Sequence, residues 1–132
     1  MKRIINLFVI DDDKIYHFLF KNLLKQNDIH VRATYFTNGA DAVEFIRNCS
    51  EEDQPDLILL DINMPIMNGW QFLEEYNKLK GIIKNDCIVY MISSSNNDVD
   101  IERSKSFDGV VKDYFLKPIC KEDLDKIFLT QI

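Results

Sequence analysis

Short, uninterrupted apolar runs alternate with segments of helical period along this chain of 132 residues. The run LFVI (7–10) has strand length and carries no polar residue, as expected of a strand covered on both faces. Behind it, IYHFLFKNLLKQN (15–27) sets Ile15, Phe18, Leu19, Leu23 and Leu24 at helical spacing, and these are expected to form the inward face of a helix. VRATYF (31–36), DLILLD (56–61), CIVYMISSS (87–95) and VVKDYFLKP (110–118) read as further strands, the last closed by Pro118. GADAVEFIRNC (39–49), WQFLEEYNKLK (70–80) and KEDLDKIFLTQI (121–132) read as helices. Thr37 or Asn38 would cap the first of these, and Leu124, Ile127 and Phe128 would face inward in the last. DVDIERSKSF (98–107) is a weaker helix, poor in apolar residues. Five strands alternating with five helices imply an α/β domain whose parallel sheet is covered on both faces. No repeat, low-complexity tract or linker breaks the pattern, so a single domain over 1–132 is expected.

Composition narrows the function. A hydrophobic fraction of 46% can furnish a core for such a sheet, and the net charge of −6 argues against a DNA-binding surface. Cys49, Cys87 and Cys120 are odd in number and show no CxxC spacing, which points to thiols in a reducing compartment. Cys87 opens an apolar run and is expected in the core. No apolar stretch approaches the roughly 18 residues of a membrane span, and no signal-peptide pattern opens the chain. A cytoplasmic protein without a membrane segment is the expectation. His17 and His30 have no metal-ligand spacing and read as structural or exposed.

The chemistry concentrates where the strands end. In open parallel sheets the working groups lie at the carboxyl ends of strands. Here Asp11, Asp12 and Asp13 follow the first strand, Asp61 the third, Ser93, Ser94 and Ser95 the fourth, and Lys117 the fifth. Three adjacent acids repel one another unless a cation joins them. Carboxylates at a strand-end cleft make a hard oxygen site suited to Mg²⁺ or Mn²⁺, which takes one or two carboxylates and keeps waters and phosphate oxygens. With such an ion, a phosphoryl group could approach Asp61 as nucleophile and form an acyl phosphate. Lys117 would pair with one phosphoryl oxygen and Ser93 donate to another. Asp13 directly precedes a helix, so capping is its expected role.

The pieces VIDDD, LILLDINMPIMNG, VYMISSS and YFLKPI, in this order and spacing, resemble the receiver domain of two-component response regulators, the chemotaxis-regulator type. The resemblance covers essentially the whole chain. It implies a flavodoxin-like doubly wound (βα)5 sandwich with strand order 2-1-3-4-5. It implies Asp61 as phosphoacceptor, and Mg²⁺ held by Asp11, Asp12, Asp61 and the backbone carbonyl of Asn63. Ser93 and Tyr114 take the switch positions, and Lys117 the position before a proline that is typically preceded by a cis peptide. A histidine kinase or histidine phosphotransfer protein would supply the phosphoryl group, and the domain would catalyse its own phosphorylation and slow hydrolysis rather than act as an enzyme on other substrates. Partner binding or a phosphorylation-dependent homodimer would read out the modified state, the downstream target being open, as is a role as a phosphorelay shuttle.

Two departures accompany the match. Ser93 stands where Thr is commoner, and 47–56 and 77–86 are longer than a minimal receiver needs, suggesting partner-specific loops. Two other functions compete. An aspartate-nucleophile phosphatase of the haloacid dehalogenase type uses similar groups but places its nucleophile first, in a DxD motif that DIN (61–63) does not match. A constitutive interaction domain would have no need of the intact acid, Ser and Lys set.

Overall fold

The computed structural model describes residues 4–79, 81, 87–94, 98–107 and 109–128. Within them the chain runs β1 (Asn6–Ile10), α1 (Lys14–Gln26), β2 (Arg32–Phe36), α2 (Gly39–Asn48), a 3-10 turn (Glu51–Asp53) and β3 (Leu57–Leu60). It continues with α3 (Gly69–Lys78), β4 (Ile88–Ser93), α4 (Asp98–Lys105), β5 (Val111–Leu116) and α5 (Lys121–Phe128). The five strands form one parallel sheet of order β2-β1-β3-β4-β5, the flavodoxin-like arrangement expected.

Strand alternation divides the core in two. Phe8 and Ile10 of β1, Ile58 and Leu60 of β3, and Val89 and Met91 of β4 point to one face, where Val43 and Ile46 of α2 and Phe72, Leu73 and Tyr76 of α3 cover them. Leu7 and Val9, Leu57 and Leu59, and Tyr90 and Ile92 point to the other, against Phe20 and Leu24 of α1 and Leu124, Ile127 and Phe128 of α5. The inner strands read as unbroken apolar runs because each residue has a layer above or below it. Cys87 lies at the margin of the first cluster, partly buried, and the three cysteines form no disulfide.

The inward face of α1 corrects one expectation. Leu24 is buried and Leu23 packs partly against the core, but Ile15, Phe18 and Leu19 are 72%, 64% and 58% exposed. The stripe meeting the sheet is Tyr16, Phe20 and Leu24, one i, i+4 row around the helix. The helix carries apolar residues on more than one side, so periodicity admitted both rows. Packing against Leu7 and Val9 of β1 and Ala33 and Tyr35 of β2 selects the second.

Two other stretches are settled in detail. Asn38 caps α2, its side chain accepting from the Asp41 amide at 2.9 Å. The long connection before β3 is tied down. The Asn6 side-chain amide donates to the carbonyls of Glu52 (2.8 Å) and Gln54 (3.2 Å), and the buried Asp56 carboxylate accepts from the Asn6 backbone amide at 2.8 Å. These bonds satisfy polar groups at the amino end of the sheet, opposite the strand-end cleft, so the extra length has a structural use. Most of the loop read at 77–86, and residues 129–132 of the helix read at 121–132, lie outside the described residues. The segment read as a weak helix forms α4, with Ser104 as its buried residue.

Candidate functional site

β1 lies between β2 and β3, so the chain leaves it in one direction and returns on the other side. This is the topological switch point of the sheet. The hydrogen-bond ladder runs one residue past each relevant strand. The Asp11 amide donates to the Phe36 carbonyl, Asp61 to Ile10, and Lys117 to Ser93, each at 2.9 Å. The three residues therefore begin their loops from fixed backbone positions.

Among the described residues, Asp11, Asp12 and Asp61 each place a carboxylate oxygen within 4.8 Å of the others. Asp11 and Asp61 are buried, and Asp12 is exposed at the rim. The Lys117 ammonium reaches in from the opposite side, 2.5 Å from Asp11 Oδ2 and 3.8 Å from Asp61 Oδ2, with a side chain only 17% exposed. Burial, and then the neighbouring Asp11 carboxylate, push the Asp61 carboxyl up from 3.8 to about 7, against the opposing pull of Lys117. One ammonium does not neutralise three carboxylates. A hard divalent cation with oxygen preference matches both the donor set and the residual negative charge.

Asp13 belongs to the helix. Its carboxylate accepts from the amides of Ile15 (2.9 Å) and Tyr16 (3.2 Å), and its own amide donates to Asp11 Oδ1 at 2.9 Å. This division of labour gives a direct comparison. Asp13→Ala should cost about 1 kcal/mol of stability, measured by denaturant unfolding, and leave divalent-ion binding intact. Asp12→Ala should abolish that binding, measured by titration of Trp70 fluorescence, with little loss of stability. Loss of ion binding in Asp13→Ala alone would mean that the acids divide their roles differently.

The loop after Asp61 is shaped by three devices. Ile66 has φ of 68°, inside a tight turn whose Met67 amide donates to the Pro65 carbonyl at 2.6 Å. Asn68 and Gln71 form a reciprocal capping box at the start of α3. The Gly69 amide donates to the Ile62 carbonyl at 2.7 Å, and a Cβ on Gly69 would stand 2.5 Å from the Asp61 carbonyl oxygen. The start of α3 thus rests directly on the main chain of the central acid.

The remaining sequence-derived positions are placed as follows. Ser93 ends β4 and is buried, with its carbonyl engaged by Lys117. Tyr114 lies within β5 opposite Met91, half-buried against the first core cluster. Asn63 is exposed in the loop two residues past Asp61. The Lys117–Pro118 peptide is cis. His30 is exposed and pairs with Asp28 at 2.9 Å. His17 packs its ring 5.1 Å from Tyr35, and burial holds its pKa down.

Sequence reasoning overlooked Tyr16 as part of this site. Its ring centroid lies 4.4 Å from the Lys117 ammonium. Its position three residues after the capping acid fixes its direction, but nothing in the string shows that a lysine a hundred residues later ends up beneath it. The capping box was missed as well, although Asn68 followed three residues later by Gln71 in NGWQ (68–71) carries its signal.

Comparison with known proteins agrees with this geometry. The sequence profile of the response regulator receiver domain matches residues 7–128. An uncharacterised response regulatory protein of Staphylococcus epidermidis is 32% identical over 123 residues, covering 90% of this chain and 43% of the relative. The chain therefore spans less than half the length of that relative. A two-component response regulator from Cytophaga hutchinsonii, known as a crystal structure, superposes with a TM-score of 0.85 at 28% identity, covering 97% of each chain. The Mn²⁺-bound form of response regulator Rcp1 superposes with a TM-score of 0.71 at 26% identity, covering 92% of this chain and 87% of the other. By sequence, sheet order and the acidic strand-end cluster, this chain belongs to the response regulator receiver domain family of two-component systems.

Proposed function

We propose that this domain accepts a phosphoryl group on Asp61 from a phosphohistidine donor, with Asp11, Asp12 and Asp61 holding Mg²⁺ or Mn²⁺. The observation that carries the reading is the carboxylate trio joined by one partly buried lysine: Lys117 meets both Asp11 and Asp61 while Asp12 opens to solvent. The backbone carbonyl of Asn63 is the proposed further ligand. Bound there, the cation would offset negative charge on the transferring oxygens.

The chain's own groups account for the rest. An Asp61 carboxylate oxygen attacks phosphorus along the line of the departing P–N bond. The bonding pair of P–N leaves with the donor imidazole, and Asp61 becomes an acyl phosphate. Lys117 shifts its ion pair from the Asp61 carboxylate to a phosphoryl oxygen, and Ser93 donates its hydroxyl to another. Drawing Ser93 toward the phosphoryl group changes the space beside β5, into which the Tyr114 ring can turn. The altered surface around α4, β5 and α5 then binds a downstream protein or a second copy. The donor is a histidine kinase or histidine phosphotransfer protein acting in the cytoplasm. Hydrolysis of the acyl phosphate in the same site returns the domain to its resting state.

Incubation with acetyl phosphate and Mg²⁺ should add one phosphoryl mass to the intact protein, lost on chelation of the metal and absent in Asp61→Asn. No added mass under saturating Mg²⁺ overturns the reading. Rapid turnover of varied phosphate esters without a stable label would favour a phosphatase instead.

A further inference from the structure

Lys117 has a contact that neither ion pairing nor the acidic cluster explains. On one side its ammonium meets Asp11 and Asp61, and on the other it lies over the face of Tyr16, 4.4 Å from the ring centroid. The ring is held rigidly. The Tyr16 amide donates to the Asp13 carboxylate at 3.2 Å, and the ring stacks on Phe20 at 6.0 Å with an interplanar angle of 26°. The Tyr16 hydroxyl is buried without a hydrogen-bond partner, so the fold uses the face of this ring and not its polar end. Burial and the nearby Asp11 and Asp61 charges push the phenol well above its ordinary pKa, so the ring stays neutral beside the ammonium.

We propose that Tyr16 is a positioning residue for phosphoryl transfer, its π face holding the Lys117 ammonium at the edge of the carboxylate trio. The proposal rests on the phosphoacceptor reading of Asp61. A lysine carries a compact charge on four flexible carbons, and two carboxylates offer it alternative resting places. Asp11 is the nearer of them and is also a proposed metal ligand. Once Asp11 and Asp61 share their charge with a cation, their hold on Lys117 weakens. The aromatic face attracts the ammonium without competing for the metal, and it lies in a largely buried setting where such contacts are strongest. Lys117 then stays within reach of the incoming phosphoryl oxygen instead of swinging out to water. The cap on α1 thereby acts on the site at one remove, since Asp13 sets the turn from which Tyr16 projects.

The test compares Tyr16→Phe, which keeps the ring, with Tyr16→Leu, which fills much of its volume without a π face. Three quantities are measured on the full chain: the rate of labelling by acetyl phosphate at saturating Mg²⁺, the Mg²⁺ affinity from Trp70 fluorescence, and the Lys117 ε-proton resonances in ¹³C-lysine protein. Lys117→Arg identifies those resonances. In Tyr16→Leu the labelling rate should fall about tenfold while Mg²⁺ affinity stays within about twofold. The Lys117 ε-protons should move downfield as they leave the shielding region of the ring. Tyr16→Phe should match the wild type in all three.

An unchanged rate or an unmoved Lys117 resonance in Tyr16→Leu overturns the proposal. So does a Tyr16→Phe variant that behaves like Tyr16→Leu, because the hydroxyl would then be the active part. If the wild type takes no label at all, the phosphoacceptor reading fails and the transfer role of Tyr16 falls with it. The resonance shift, measured without phosphodonor, still decides whether the ring holds the lysine.

Discussion

In metal-free buffer at about pH 8, Asp61→Asn should melt above the wild type by roughly 8 °C, on the order of 2 kcal/mol. The cause is the environment of the carboxyl group, whose pKa rises from 3.8 to about 7 because burial and Asp11 disfavour its ionised form. Folded protein therefore holds the Asp61 proton more tightly than unfolded protein does. Between pH 3.8 and about 7 the native state binds more protons, so the Asp61 contribution to stability falls as pH rises through this window. Above about 7 the ionised group imposes its full cost, on the order of 4 kcal/mol, of which relaxation and water entry relieve about half. Asparagine cannot ionise and avoids that cost. The gap between variant and wild type should narrow as pH falls through this window and close only below about 3.8, where folded and unfolded protein both hold the Asp61 proton. Saturating Mg²⁺ should reverse the order, because an ion held in part by Asp61, as proposed, stabilises the wild type more than the variant. Melting curves at several pH values, with and without Mg²⁺, check this. A gap that ignores pH, or an Asn variant less stable at alkaline pH, would show that Asp61 is not strained by its neighbours.

Gly69→Ala should cost about 3 kcal/mol and lower the midpoint of thermal unfolding by roughly 10 °C. The added methyl group would stand 2.5 Å from the Asp61 carbonyl oxygen and 2.9 Å from Ile62 Cα. Both are main-chain atoms at the end of the central strand β3, so no side-chain rotation relieves the overlap. Either α3 lifts from the sheet, losing the contacts of Phe72 and Leu73, or the chain around Asp61 is displaced. The second response moves Asp61 relative to Asp11 and Lys117. Labelling by acetyl phosphate should therefore fall more steeply than stability alone explains, at a temperature where the variant is still folded. Gly81, with nothing within 4 Å of an added Cβ, provides the control: Gly81→Ala should fold and label like the wild type. If Gly69→Ala matched that control in both assays, the close approach would have no energetic meaning.

The alternation of apolar strands and amphipathic helices fixed the layer order because each pattern has its own period. A run such as LILL (57–60) can bury every residue only between two layers, and the structure shows all four buried. Residues after each strand were equally legible, since a parallel sheet brings its carboxyl ends to one edge. Asp11, Asp12, Asp61 and Lys117 were identified from that edge, and they do converge. Asp13 was separated from its two neighbours by its place before a helix, and its carboxylate caps α1 as expected. The family's motifs added the strand order, which periodicity could not supply.

Other features depended on positions far apart in the chain. The sheet-facing row of α1 is one example: Ile15, Phe18 and Leu19 compete with Tyr16, Phe20 and Leu24 on apolar character alone, and only docking against β1 and β2 chooses. The buried bonds of Asn6 to residues 52–56 are another, joining polar groups about fifty positions apart. The Tyr16–Lys117 contact spans the domain in sequence and depends on α1 and the end of β5 meeting at one edge. Local pattern therefore determined which elements form, their layering and which acids meet, because periodicity and strand-end placement are short-range properties of the chain. Tertiary structure alone decided which helix face turned inward and what surrounds each charge. Burial and orientation are set by neighbours that the sequence places far away.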